Sequence, residues 1–317
     1  MSNQLEFGVY LRGAETYDDM LRLASASEEL GYSGVFLNDH VHAPGGDGKA
    51  PYLEAWTAIT GIGVQTTKIR LGHITLFNSL RNPAYLAKSI ATLDRMTDGR
   101  YEIILGAGWN EPEYLGYDLM GEGESMPSPG ERVERCIEAV EILRGMLHNP
   151  VFNYNGKYWV LDSAINIPQP VQQPFRISVG ARSPRLIRLT AKHADGINAS
   201  GDLNNVENIL SSYYPALEKY GKTMDEVYIS GFAPSVFLMK DEAEYESTLK
   251  KWDETGTDID AARENSWIGT AEILVEKWRR AMDMGMDMSV INVKPFSTLE
   301  ENIEQLAYFK DEVSSQL

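Results

Sequence analysis

Cysteine is nearly missing: Cys136 stands alone among 317 residues, so no internal disulfide can form. Its neighbours Val133, Ile137, Val140 and Leu147 recur at helical spacing, which predicts a packed thiol on a helix flank rather than a nucleophile. No apolar run is long enough to cross a bilayer, and the opening MSNQLEFGVY has neither the basic start nor the apolar core of a secretory leader. A cytoplasmic protein is the expectation. Positive charge is scarce as well, with 29 Lys and Arg against 46 Asp and Glu, a net charge of -17. Such a field repels nucleic acid and anionic membrane surfaces, which leaves a small molecule as the expected partner. Histidine is limited to five. His40 and His42, in DHVH, have the spacing of some zinc sites, but His148 and His193 fall in helical runs and no histidine follows the later strands. Too few ligands remain for catalytic zinc, so no metal is expected.

What is present is the composition of an ordinary enzyme, 43% hydrophobic and 24% charged. The chain alternates. LEFGVYL, YSGVFL, KIRLGHITLF, YEIILGAG, PFRISVGA, GINAS, VYISGFAPSVFLM and MSVINV read as eight strands, most of them followed by a stretch with helical periodicity. Strands this uniformly apolar are buried on both faces, which predicts a closed parallel (β/α)8 TIM barrel in one domain, residues 1–317. PVFNYNGKYWVL, with Asn155 and Gly156 between aromatic and β-branched residues, predicts a hairpin insertion after the fourth barrel helix.

In such a barrel the chemistry sits where strands end, which gathers Asp39, His40, His73, Trp109, Glu111, Arg182 and Asn198 at one mouth. The segment Gly106, Ala107, Gly108, Trp109 begins like a dinucleotide turn, but Glu111 holds the place of the third glycine. Pro112, Gly116, Gly121 and Gly123 predict loop rather than helix directly afterwards. The segment therefore reads as a pocket rim, its small residues leaving room for a ring, with Glu111 and Glu113 as a solvated acidic edge. SVGARSPRLIR is the anion candidate: Gly180, Ala181 and Arg182 form a turn, and Ser183 caps a helix whose positive end faces it. Arg185 joins Arg182 as a candidate cation, whereas Arg188 and Lys192 read as a solvated face. His40 is the candidate for proton transfer, oriented by the adjacent Asp39.

Four segments, NDH, NPAYLAKSIATLDRMTDGRYEIILGAGWNEPEYLGY, PQPVQQPFRISVGARSPRLIRLTAKHADGIN and GTAEILVEKWRRAMDMGMD, together resemble the bacterial luciferase-like superfamily. Within it they resemble the coenzyme F420-dependent oxidoreductases, over about Phe7 to Val293. The resemblance implies a flavin-type ring across the mouth, touching Asp39, His73, Ile74, Gly106, Ala107, Gly108, Trp109, Gly180, Ala181, Arg182 and Ser183. It also implies a non-prolyl cis peptide, matched here to His73–Ile74, and a homodimer. Trp109 stands where related sugar-phosphate dehydrogenases carry a glutamate, which points to another substrate or to another proton route, with Glu111 or Glu113 further along the loop as the alternative to their reading as a solvated edge. An FMN-dependent monooxygenase and a barrel that binds flavin without turnover are the alternatives.

Overall fold

The computed structural model describes residues 4–12, 16–45, 47–293 and 297–317. In chain order its strands are β1 (Glu6–Tyr10), β2 (Gly34–Leu37), β3 (Arg70–His73), the two-residue β4 (Leu76–Phe77), β5 (Tyr101–Gly106), β6 (Val151–Asn155), β7 (Val160–Ile165), β8 (Ile177–Gly180), β9 (Gly196–Ser200), β10 (Tyr228–Leu238), the short β11 (Ile268–Gly269) and β12 (Met288–Val293). Eight of them, β1, β2, β3, β5, β8, β9, β10 and β12, pair in parallel in that order, and β12 returns to β1 with Glu6 opposite Met288. The barrel is closed. Helices α1 (Tyr17–Glu29), α2 (Ala55–Gln65) and α3 (Pro83–Met96) connect its first strands. A short α4 (Glu111–Gly116) and a long α5 (Pro129–His148) follow β5. Then come α6 (Pro184–His193), α7 (Leu203–Lys219), α8 (Glu242–Glu254), α9 (Ile259–Asn265), α10 (Ala271–Asp283) and α11 (Leu299–Glu312).

Two layers of core result. Phe7, Val9, Val35, Leu37, Leu71, Ile103, Ile177, Val179, Ile197 and Ile291 point outward against the helices, while Phe36, Ile74, Ile104, Met288 and Val290 fill the barrel. Alternation along each strand separates the two sets. Phe36 plugs the interior because its neighbours are glycines: a Cβ at Gly8, Gly34 or Gly72 would stand 2.5 to 2.8 Å from its ring. Any side chain there would evict it.

Helices α3, α5 and α6 start alike. Asn82, Ser128 and Ser183 cap them through side-chain oxygens, and Pro83, Pro129 and Pro184 follow at the first turn, where the missing N–H is no loss. The same reasoning accounts for α4, a departure from the loop expected after Gly108. Pro112 lies in the first turn of α4, so it begins that helix instead of preventing it.

β6 and β7 form a separate antiparallel pair between α5 and β8. It rests on α5, where Gly145 leaves space for the Phe152 ring and Glu138 accepts from the backbone N–H groups of Lys157 (2.7 Å) and Tyr158 (3.0 Å). Cys136 is fully buried on α5, and burial pushes its thiol up to about 12. Among the described residues no helix is long and apolar enough to cross a membrane.

Candidate active site at the barrel mouth

The inward phase of each strand decides what the mouth presents. Tyr10, Asn38, Ile74, Gly106, Gly180, Asn198, Ser200 and Phe232 line a cavity of about 600 Å³ at the strands' C-terminal ends. Asp39, His40, Ala107, Gly108, Trp109, Ala181, Arg182 and Ser183 complete most of the remaining wall. Of the residues expected at the cofactor, only His73 is absent from it.

His73 lies out of phase. Its ring stacks on Trp56 of α2 (5.6 Å, 2°), Nδ1 is 2.8 Å from the Tyr101 hydroxyl, and burial pushes its pKa down to about 4. It is a neutral packing residue between barrel and helix. The non-prolyl cis bond also falls one residue beyond the expected His73–Ile74, at Ile74–Thr75. Thr75 lines the cavity, with its side chain in the space left by two strands: a Cβ at Gly106 would be 2.1 Å from Oγ1, and one at Gly180 would be 2.5 Å from Cγ2. The room these glycines leave is thus occupied by Thr75.

His40 is oriented by a carboxylate, but not by Asp39. Nδ1 lies 2.9 and 3.1 Å from the two carboxylate oxygens of Glu113, whose Oε1 also accepts from Val41 N at 2.8 Å. Glu113 is 0% exposed, in contrast to the solvated edge expected, because α4 turns it inward while Glu111 stays in solvent and outside the cavity wall. Burial works to raise its pKa, but the hydrogen bonds from His40, Val41 N and Asn110 outweigh that and hold it below the ordinary glutamate value. A carboxylate facing Nδ1 keeps the proton on that nitrogen and leaves Nε2 as the acceptor. Trp109, 64% exposed, stands edge-on to the imidazole at 5.7 Å.

Asp39 has other partners. Arg81 binds its two oxygens at 2.6 and 3.1 Å, Phe77 N donates at 2.9 Å, and Arg81 continues to Glu54 at 2.6 Å. The carboxylate is therefore used in tying the segment after β2 to the one after β3. Nearby, the half-buried Tyr52 donates its hydroxyl hydrogen to Asn38 Oδ1, and desolvation raises its pKa well above the usual value.

The opposite wall is basic. Ser183 caps α6, accepting from Leu186 N at 3.3 Å, and Arg182 is exposed at the rim with no carboxylate in ion-pair contact among the described residues. Arg185 faces away: it binds Glu134 at 2.6 Å and does not line the cavity. Arg132, in the first turn of α5, does line it. Thr75, Arg81 and Arg132 are the residues that sequence reasoning missed, whereas Glu113 was named there but placed on a solvated edge. The capping triplet Ser128, Pro129, Gly130 before Arg132 was the available signal, since it puts the side chain on a helix's opening turn. Among the described residues no three His, Cys, Asp or Glu side chains are placed to hold a metal.

A closed parallel barrel with a hydrogen-bonded His40–Glu113 pair on one wall of its mouth and a capped helix start on the other belongs to the class of cofactor-binding barrel proteins. The chain belongs to the luciferase-like monooxygenase family, whose model matches residues 4–312. It is 30% identical over 230 residues to the F420-dependent glucose-6-phosphate dehydrogenase of Nakamurella multipartita, covering 70% of this chain and 65% of that one. Among solved structures, an F420-dependent secondary alcohol dehydrogenase in complex with an F420-acetone adduct superposes with a TM-score of 0.81, at 19% identity and 99% coverage of both chains. The EDTA monooxygenase of Chelativorans sp. BNC1 superposes with a TM-score of 0.79, at 15% identity, covering 98% of this chain and 93% of that one. These two share the fold.

Proposed function

We propose that the protein is an F420-dependent oxidoreductase that moves a hydride between the deazaflavin and a small organic substrate. The observation that carries this reading is the pairing, across one cavity, of the His40–Glu113 couple with the anion-receiving start of α6. The name of the relative at 30% identity supports the choice of cofactor. The cavity's size falls within the usual range for organic ligands, roughly 300 to 1,000 Å³. Its residues fit the group. Ile74, Gly106, Ala107, Gly108 and Trp109 would border the ring, while Gly180, Ala181, Arg182 and Ser183 would hold the phosphate through backbone N–H groups and the helix start.

Bound deazaflavin supplies a ring carbon that gives or receives hydride. The chain's own part is proton handling. His40 Nε2 accepts the proton of a substrate hydroxyl in one direction and returns it to a carbonyl oxygen in the other, while Glu113 stabilises the imidazolium and fixes its orientation. Asp39 contributes by holding the His40 segment through Arg81. Trp109 bounds the site and limits water. In this reading the chain acts as one domain, residues 1–317, in the cytoplasm and as a homodimer, with no nucleic acid or membrane partner. Equilibrium titration of the purified protein with F420 and with FMN tests the proposal. Tighter binding of F420 is expected, and a clear preference for FMN would replace it with a flavin monooxygenase.

A further inference from the structure

Among the described residues two asparagines line the cavity, and the protein treats them differently. Asn198, on β9, is answered at both ends of its amide: Nδ2 donates to Ser230 Oγ at 3.0 Å, and Oδ1 accepts from Ser200 Oγ at 2.5 Å. Asn38 is answered only at its oxygen, which accepts from the Tyr52 hydroxyl. That bond fixes which way round the amide sits. Desolvation keeps the Tyr52 phenol protonated, its one hydrogen goes to Oδ1, and the Tyr10 side chain meets the same phenol oxygen. The NH2 end of Asn38 is left without an acceptor among the described residues.

Phase brings this NH2 to the reacting region. Phe36 fills the barrel and Leu37 faces the helices, so Asn38 turns inward again; Asp39 then goes to Arg81, and His40 returns to the cavity wall. Asn38 and His40 therefore share one wall, the first secured at its oxygen by Tyr52, the second at Nδ1 by Glu113. An oxygen that changes between carbonyl and hydroxyl can use both side chains at once. When hydride reaches a carbonyl carbon, the C=O π pair moves onto oxygen, and that oxygen takes the proton from His40 Nε2. An N–H aimed at the oxygen binds it more tightly as the negative charge builds. In the reverse direction Nε2 removes the hydroxyl proton and the carbon gives its hydride to the ring, beside the same donor.

We propose that Asn38 Nδ2 donates to the reacting oxygen of a carbonyl–alcohol substrate, as the second point of a clamp whose first is His40. Tyr52 is the positioning residue that keeps the NH2 of Asn38, rather than its C=O, toward that oxygen. The inference rests on the proposed function for the deazaflavin and its hydride. Three quantities are measured in wild type, Asn38→Asp and Tyr52→Phe: the F420 dissociation constant, the rate at which acetone and cyclohexanone oxidise reduced F420, and the affinity of the F420-loaded protein for isobutyramide, an unreactive carbonyl analogue. Asn38→Asp keeps the shape and the bond from Tyr52 but puts an oxygen where the NH2 was. It is expected to lower kcat for the ketones about 10²- to 10³-fold and to weaken isobutyramide about 10-fold, with F420 affinity within about 3-fold. Tyr52→Phe should lower kcat about 3- to 10-fold at the same F420 affinity, and it carries the test if the Asp variant does not melt cooperatively. Unchanged ketone turnover in either folded variant would overturn the inference. So would equal weakening of F420 and isobutyramide, which would mean that Asn38 only shapes the cavity. Wild type that binds F420 but neither reduces the ketones nor binds isobutyramide overturns the inference and leaves the cofactor reading standing. Wild type that prefers FMN fails that reading first, and isobutyramide binding to the FMN-loaded protein then decides the role of Asn38. Wild type that binds neither cofactor overturns both.

Discussion

The two ends of the barrel use the same side chains to opposite effect. Where the strands begin, Arg70 joins Glu6 and Glu102, Arg176 reaches the same Glu102 at 3.2 Å while lying 3.6 Å from the Tyr228 ring centre, and Arg100 saturates its donors on the turn between α2 and β3. Where the strands end, among the described residues, His40 pairs only one ring nitrogen, Arg132 finds acceptors for two of its five N–H groups, and Arg182 meets no carboxylate. The first end is complete without a ligand. The second is not, and incompleteness on a rigid frame marks the place where a protein acts rather than merely holds its shape.

Substitutions at the two ends should therefore part company. The largest effect belongs to His40→Ala, which should lower turnover about 10²- to 10⁴-fold while leaving the F420 dissociation constant within a few-fold, checked by steady-state kinetics and titration. Unchanged turnover would remove proton transfer from the mouth and dissolve the contrast. Arg100→Ala should do the reverse. Loss of its carbonyl and hydroxyl contacts is expected to cost about 2 to 4 kcal/mol in denaturant unfolding, with activity per folded molecule unchanged. An Arg100 variant that folds normally but turns over poorly would show that the ends are coupled. The smallest effect is assigned to Arg185→Ala. Arg185 is exposed and solvent screens its pair with Glu134, so little stability is at stake, and cofactor affinity should be flat across a salt series. A salt-dependent loss of affinity would move Arg185 to the ligand side of the comparison.

Much of this frame could be read in the sequence, because it rests on local rules. The helix at Pro184–His193 follows from Ser183, Pro184 and the periodic Leu186, Ile187 and Thr190, and the strand ends follow from apolar runs that stop at polar residues. Facing was another matter. In strands buried on both sides, Gly72, His73 and Ile74 carry no polar alternation, so nothing local says that His73 turns toward Trp56 while Ile74 turns inward. Partnerships were hidden for a related reason. His40 and Glu113 are 73 residues apart, Asp39 and Arg81 are 42 apart, and adjacency in sequence favoured Asp39 as the partner of His40. Arg132 could not be distinguished from Arg135, a few residues on, until the second was found bound to Glu131 at 2.9 Å.

Thr75 sets a condition on how this pocket can change over evolutionary time. Because its hydroxyl and methyl occupy the places where Gly106 and Gly180 would carry a Cβ, the three positions behave as one trait spread across β5, β8 and the turn between β3 and β4. Adding a methyl at 106 or 180 while Thr75 remains requires atoms to overlap, whereas reducing Thr75 to glycine first opens a void that either neighbour can then fill. The order of substitutions is thus constrained: one sequence of steps passes through a cavity, the other through a collision. The collision is with the Thr75 side chain and not with backbone, so a substitution at position 75 is the step that frees both neighbours.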